Sequence, residues 1–150
     1  ENKIKVIKSN YFNPELTLKK GNFSIMKPGK FDLISIKKGI KSLNSLNAHN
    51  HVQGLVIKNN TIIKKETSEG TKKMIQSINT LKKPGGILIK FPKKKQDLRA
   101  DLPTIGLDTL KDCKKANLKG IVLKSNQNIF MDKIECINFA NKNKIFIKVI

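Results

Sequence analysis

Apolar positions recur every three or four residues from Phe31 onward, at Leu33, Ile36, Ile40, Leu43 and Leu46. That spacing predicts an amphipathic helix ending near Asn47. Ahead of it, Lys3 to Ile7 alternates charge with Ile and Val and predicts a short strand. Asn10 to Phe23, with Pro14, Gly21 and several Asn, predicts a connection, and Lys27-Pro28-Gly29-Lys30 a turn. After the helix, His51 to Ile57 and Thr61 to Glu66 are two strand patterns around Asn59-Asn60, the signature of a β-hairpin. A helix over Thr71 to Leu81 carries Met74, Ile75, Ile78 and Leu81 on one face and stops at Pro84-Gly85-Gly86. Ile87 to Phe91 is a compact apolar strand ended by Pro92, and Lys93 to Thr104 a polar loop. The remainder predicts a helix at Gly106 to Leu118, a strand at Gly120 to Leu123 and a further strand at Asn128 to Phe130. A helix at Asp132 to Asn141 and a closing strand at Ile145 to Ile150 complete it. Strands alternating with helices imply an α/β class, a mixed sheet layered with helices and including one β-hairpin. No internal repeat and no low-complexity linker interrupts this order.

The chain has 150 residues, the length of one domain able to bury a core. No apolar run approaches the ~20 residues of a membrane-spanning helix. The first residues lack the apolar core of a signal peptide, and the chain opens without Met, which fits a fragment. The formal net charge is +20. Lys, Asn and Ile dominate together, the signature of AT-rich coding, and Arg99 is the single arginine. Nucleic-acid binders use Arg for bidentate contacts and aromatics for stacking. Here aromatics are 5% and Trp is absent, so nucleic acid is disfavoured as a partner. A lysine-rich, non-catalytic module binding nucleic acid or anionic membrane is the alternative, and it requires one contiguous basic face rather than scatter. Cys113 and Cys136 lack metal-ligand spacing and are expected as buried reduced thiols of a cytosolic protein. His49 and His51, without a third ligand nearby, are expected at the surface.

The 11 acidic residues are the rarer event in this chain, and several fall at strand-to-helix junctions. Glu66 and Glu69 precede Gly70-Thr71 at a helix start. Asp97 and Asp101 follow the Ile87–Phe91 strand. Ligands of α/β folds bind at such junctions. Carboxylates there suit Mg²⁺, which takes one or two of them together with water and substrate phosphate. Gly70 lets backbone N–H groups approach a phosphate, Arg99 can fork onto two phosphate oxygens, and Lys90 and Lys93 to Lys95 add positive charge. Each has a plainer explanation. Asp101 before Leu102-Pro103 can cap a helix. Glu69 can complement a helix dipole. The lysines can be a solvated loop, and Gly70 can serve a turn.

Two segments carry a resemblance. Glu66-Thr67-Ser68-Glu69-Gly70-Thr71 is similar to a Glu-x-x-Glu-Gly-Thr-Asp pattern. Lys90 through Gly106 follows Lys-x-x-Lys-x-x-Gln-Asp-x-Arg-x-Asp-x-Pro-x-x-Gly. On these the chain resembles the C-terminal domain of UDP-2,3-diacylglucosamine pyrophosphatases of the LpxI type. Val52-Gln53 resembles the family's Gly-Gln before the hairpin. The resemblance implies a catalytic domain over 14–150, with 1–13 as the tail of a missing N-terminal domain and its linker. It implies Mg²⁺-dependent cleavage of the nucleotide-sugar lipid to UMP and lipid X in the lipid A synthesis of a Gram-negative bacterium. The expected location is cytoplasmic and peripheral at the inner membrane. Homodimerisation is left open. Carried over by position, Asp97 and Asp101 are the catalytic candidates, either of them for metal binding or water activation. Gly70, Thr71, Lys90, Lys93, Gln96 and Arg99 are expected to bind substrate, with Thr71 donating its hydroxyl to phosphate. Glu66, Glu69, Asp97 and Asp101 are expected to hold the metal. One departure counts against a full carry-over: Lys72 stands where the family pattern has an acid.

Overall fold

The computed structural model describes residues 4–8, 10–46 and 52–150. His49 and His51 lie outside them. The class expected from the pattern is the one observed, an α/β fold with a mixed six-stranded sheet. A three-residue 3₁₀ turn, Pro14–Leu16, leads to β1 (Gly21–Asn22) and α1 (Lys30–Leu46). The hairpin of β2 (Gly54–Lys58) and β3 (Thr61–Lys65) follows, then α2 (Gly70–Gln76), β4 (Ile87–Lys90), β5 (Thr104–Ile105) and α3 (Leu107–Lys115). The chain closes with β6 (Gly120–Leu123), β7 (Ile129–Phe130), α4 (Lys133–Lys142) and β8 (Phe146–Val149). The sheet order is β1-β8-β6-β4-β2-β3, and β5 with β7 forms a separate two-stranded ribbon.

The three central strands β4, β6 and β8 run parallel, joined through α3 and α4. A parallel strand covered on both faces is mostly apolar, which is why β4 and β6 read as near-continuous runs, with Lys148 the one charged residue inside β8. The pleat sends Leu55, Ile57, Ile87, Ile89, Val122 and Phe146 to the face covered by α1, where Ile36 and Leu43 meet them. Val56, Leu88, Ile121, Leu123, Ile147 and Val149 face the other way, onto α2, α3 and α4. Gly39 lets α1 sit close: a Cβ there would come within 2.5 Å of Ile89 Cδ1. The Asn59-Asn60 turn has φ of 47° and 62°, the left-handed pair that a tight two-residue hairpin requires. Asn60 is also tied to α1, its N–H donating to Ser35 Oγ at 3.1 Å.

Several expectations are corrected. The described part of Lys3 to Ile7 is not a strand. Ile4, Val6 and Ile7 are exposed, and period-2 alternation without a partner edge forms no ladder. The expected connection over Asn10 to Phe23 contains β1, which pairs antiparallel with β8 at the far end of the chain. The helix predicted over Thr71 to Leu81 ends at Gln76, because the following turn is held by tertiary bonds: Leu81 N–H donates to Ala116 O, and Asn117 Nδ2 to Leu81 O at 2.7 Å. The polar loop before α3 ends in β5, paired with β7. Cys113 and Cys136 are both free and buried, and burial pushes the Cys113 thiol up to about 12 and the Cys136 thiol to about 11, so neither is a nucleophile at neutral pH.

β2 is antiparallel to both β3 and β4, so β3 runs with the parallel set. The carboxyl ends of β3, β4, β6 and β8 therefore share one edge. The amino end of β2 lies there too, Gly54 pairing with Lys90. At Gly120, on the parallel core, an added Cβ would collide with the Phe146 ring. Gly120→Ala is expected to cost about 1–3 kcal/mol of stability through overpacking, measured by urea denaturation, with the folded spectrum retained.

Candidate functional site

The shared carboxyl edge gathers polar side chains on an apolar sheet. Glu66, just past β3, is 6% exposed. A carboxylate in that position needs partners, since an unpaired buried charge is costly. The Thr71 hydroxyl donates to Glu66 Oε1 at 2.6 Å, and Gln53 N–H donates to Oε2 at 3.2 Å. Glu66 N–H donates to Gly54 O at 2.9 Å, so the residue is held by main chain and side chain alike. Gly54 makes room: a Cβ would stand 3.0 Å from Glu66 Oε2. Lys90, the last residue of β4, is 8% exposed and donates from Nζ to Thr104 O at 3.3 Å. Burial lowers its pKa, and the Glu66 charge partly restores it.

Beyond β4 the chain turns through Phe91 and Pro92 into the loop 93–101. Phe91 N–H donates to Gln53 O at 2.9 Å. Gln96 Oε1 accepts from Gln53 Nε2 at 2.8 Å and from Lys93 N–H at 2.8 Å. Asp97 Oδ1 accepts from Arg99 N–H and Nε at 3.0 Å, and Oδ2 from Arg99 Nη2 at 2.9 Å. The Arg99 fork holds the Asp97 carboxyl at about 2, so it is ionised at every physiological pH. The loop borders two clefts. One, of about 320 Å³, is lined by Lys93, Lys95, Gln96, Asp97 and Asp101. The other is lined by Asn44 of α1, Phe91, Pro92, Lys93, Lys94, Leu98, Lys124 and Gln127, so Lys93 borders both.

The expected site residues divide accordingly. Asp97, Asp101, Lys93 and Gln96 meet in one cleft. Glu66 reaches it only indirectly, through Gln53 and Gln96. Glu69 is exposed at the start of α2, makes no side-chain cap and lines neither cleft. No three acidic, His or Cys side chains cluster tightly enough for a metal cage among the described residues. Asp97 and Asp101 share the cleft beside the loop, and a donor set of one or two carboxylates suits Mg²⁺ that also takes substrate phosphate. Of these, Asp101 is exposed with no side-chain partner among the described residues, whereas Arg99 already occupies Asp97. Asp101 does not cap a helix, because α3 begins at Leu107 behind Gly106. The Thr71 hydroxyl has one proton, and it goes to Glu66, so in this arrangement it is not offered to a phosphate. Gly70 has φ of 84° with open space around it, a backbone conformation that a side chain disfavours. Lys72 is exposed on α2. Exposed lysines stand on α1 (Lys37, Lys38), β3 (Lys64, Lys65), α3 (Lys114, Lys115) and α4 (Lys133, Lys142), so the charge is not gathered on one face.

Gln53 and Asn128 escaped the residue-level reading of the chemistry. Asn128 is 2% exposed, donates from Nδ2 to Lys90 O at 3.1 Å and accepts from Lys124 N–H at 2.9 Å, fixing the exit of β4 to the turn before β7. A polar amide between two apolar strand patterns was the available signal for it.

The model of the LpxI C-terminal domain matches residues 19–148, a span that includes every element of the cleft. The chain belongs to the LpxI C-terminal domain family. A relative from Caulobacter vibrioides, UDP-2,3-diacylglucosamine pyrophosphatase LpxI, is 28% identical over 141 residues, covering 89% of this chain and 50% of the relative. The chain thus spans about half the length of that LpxI protein.

Two outcomes are expected from this geometry. Glu66→Ala leaves Gln53 N–H and the Thr71 hydroxyl unpaired and removes the charge facing Lys90. It should destabilise by about 2–4 kcal/mol in urea denaturation, more than Glu69→Ala at the surface. The Asp97 carboxyl should titrate near 2 by NMR and return toward 3.8 in Arg99→Ala. A carboxyl with a depressed folded pKa stabilises above its unfolded value and loses that contribution as pH falls through the folded one. Any stability from this pair is therefore lost between about 3.8 and about 2, and not at neutral pH.

Proposed function

We propose that this chain carries the catalytic surface for hydrolysis of the pyrophosphate bond of UDP-2,3-diacylglucosamine, releasing UMP and lipid X in lipid A biosynthesis. The observation that carries the reading is the meeting of Asp97, Asp101, Lys93 and Gln96 in one cleft at the carboxyl edge of a fold of this family. Such a cleft combines hard oxygen donors with phosphate-binding donors, the pairing that phosphoryl chemistry needs. Mg²⁺ held by Asp101, with Asp97 beside it, would polarise a phosphoryl oxygen and offset its charge. Lys93 supplies positive charge to the pyrophosphate from the cleft wall, and Arg99, forked onto Asp97, holds that carboxylate in place. Asp101, exposed and with no side-chain partner among the described residues, is the carboxylate open to either role, holding the metal or orienting an attacking water. Lys90 beneath the loop adds a buried positive charge and holds Thr104. The remaining length of the Caulobacter relative suggests a second domain as partner for the uridine and acyl groups. Peripheral contact with the cytoplasmic face of an inner membrane would deliver the lipid.

The full protein incubated with Mg²⁺ and UDP-2,3-diacylglucosamine should release UMP. Asp101→Ala and Asp97→Ala should each lower kcat by about 100-fold or more. No release by the wild type, or unchanged release by both variants, would refute the reading. Lys90→Met should separate stability from function. Replacing a poorly paired buried ammonium by an apolar chain is expected to leave the unfolding free energy in urea unchanged or raise it by up to about 1 kcal/mol, while hydrolysis falls.

A further inference from the structure

One residue ties the loop that lines the cleft to the sheet edge behind it. Gln53 gives its N–H to Glu66 Oε2, takes Phe91 N–H on its carbonyl, and gives its side-chain Nε2 to Gln96 Oε1. It joins the Glu66–Thr71 wall, the exit of β4 and the loop 93–101. Its bond to Gln96 has a particular consequence. A carbonyl oxygen accepts two hydrogen bonds, and Gln96 Oε1 has both, from Gln53 Nε2 and Lys93 N–H, each at 2.8 Å. Two donors on the oxygen fix which way the amide faces. The Gln96 NH₂ is left with no acceptor among the described residues, on a side chain that borders the cleft beside Lys93, Asp97 and Asp101. A preset pair of N–H donors in that position suits anionic oxygen.

We propose that Gln53 is a positioning residue: it locks the Gln96 amide with its NH₂ toward the phosphates of a pyrophosphate-bearing ligand. The proposal rests on the reading of this cleft as a pyrophosphate site. It explains why position 53 carries a side chain that donates. An ionised carboxylate at 53 would oppose the Gln96 oxygen. The relief is a flip of the Gln96 amide, which turns its oxygen into the cleft and takes the acceptor away from Lys93 N–H.

The test uses the full chain and inorganic pyrophosphate with Mg²⁺, followed by calorimetry. Gln53→Glu should weaken pyrophosphate binding about 10- to 100-fold at pH 7, the range for a lost hydrogen bond to a charged group. The deficit relative to wild type should shrink as pH is lowered toward 4.5, because a protonated carboxyl can donate again. Gln53→Ala should lose less, with no such pH dependence. In a Gln96→Ala background, Gln53→Glu should add little further loss, and in the single variant the Lys93 amide should exchange its hydrogen faster. Wild-type affinity in Gln53→Glu, equal losses with and without Gln96, or no pyrophosphate binding by the wild type would each overturn the proposal. The activity reading fails separately: a wild type that binds pyrophosphate through the coupled pair yet releases no UMP refutes that reading and leaves this one standing.

Discussion

A carboxylate buried at the end of an apolar sheet is the constraint on which the site depends. Glu66 cannot stay at 6% exposure without donors, and the donors it recruits come from different parts of the chain. Thr71 is the first side chain of α2 past Gly70, so its bond to Glu66 fixes where that helix begins relative to β3. Gln53 precedes β2, so its bond fixes the entrance of the neighbouring strand. Gly54 is small where Glu66 folds over it. Lys90, across the ladder from Gly54, is buried on the same edge and feels the Glu66 charge. The local arrangement follows from satisfying one charge.

That satisfied edge supports a loop with few other anchors. The segment 93–101 has exposed residues at most positions and no regular structure. Its links to the sheet include the Phe91 and Gln96 bonds to Gln53, and within it the Asp97–Arg99 pair is joined by turn bonds from Gln96 N–H to Lys93 O and from Ala100 and Asp101 N–H to Asp97 O. A loop carried on a rigid edge in this way keeps its carboxylates exposed to solvent, while Glu66 and Lys90 at the end of the sheet are buried. Exposed Asp101 and buried Glu66 are therefore different kinds of acid: one is open to a ligand, the other is part of the frame.

Much of the fold was legible from period alone. α1 matches its expected span to within a residue at each end, and Asn59-Asn60 marked the hairpin because few other residues accept left-handed φ at two successive positions. Parallel β4 and β6 showed as apolar runs, and β8 as one broken by Lys148. The candidate loop was legible through its pattern of Gln96, Asp97, Arg99 and Asp101. What periodicity missed was short and pairwise. β1 and β5 have two residues each, too few to show a period, and they exist because a distant edge or ribbon partner is in place. α2 stops early although its apolar spacing continues to Leu81, because Ala116 and Asn117 capture the chain first.

By itself, then, the sequence determined the layers, the hairpin, the family and the residue types at the carboxyl edge, since hydrophobic period and local turn chemistry act over a few neighbours. Only the tertiary structure decided which acids meet. Sequence proximity grouped Glu66 with Glu69, yet burial took Glu66 into the frame and left Glu69 at the surface. It decided that the Thr71 proton belongs to Glu66, and that Gln53 and Gln96, 43 positions apart, share one hydrogen bond. A hydrogen bond acts over about 3 Å of space whatever the separation along the chain, and no local pattern records which distant groups folding will bring within that reach.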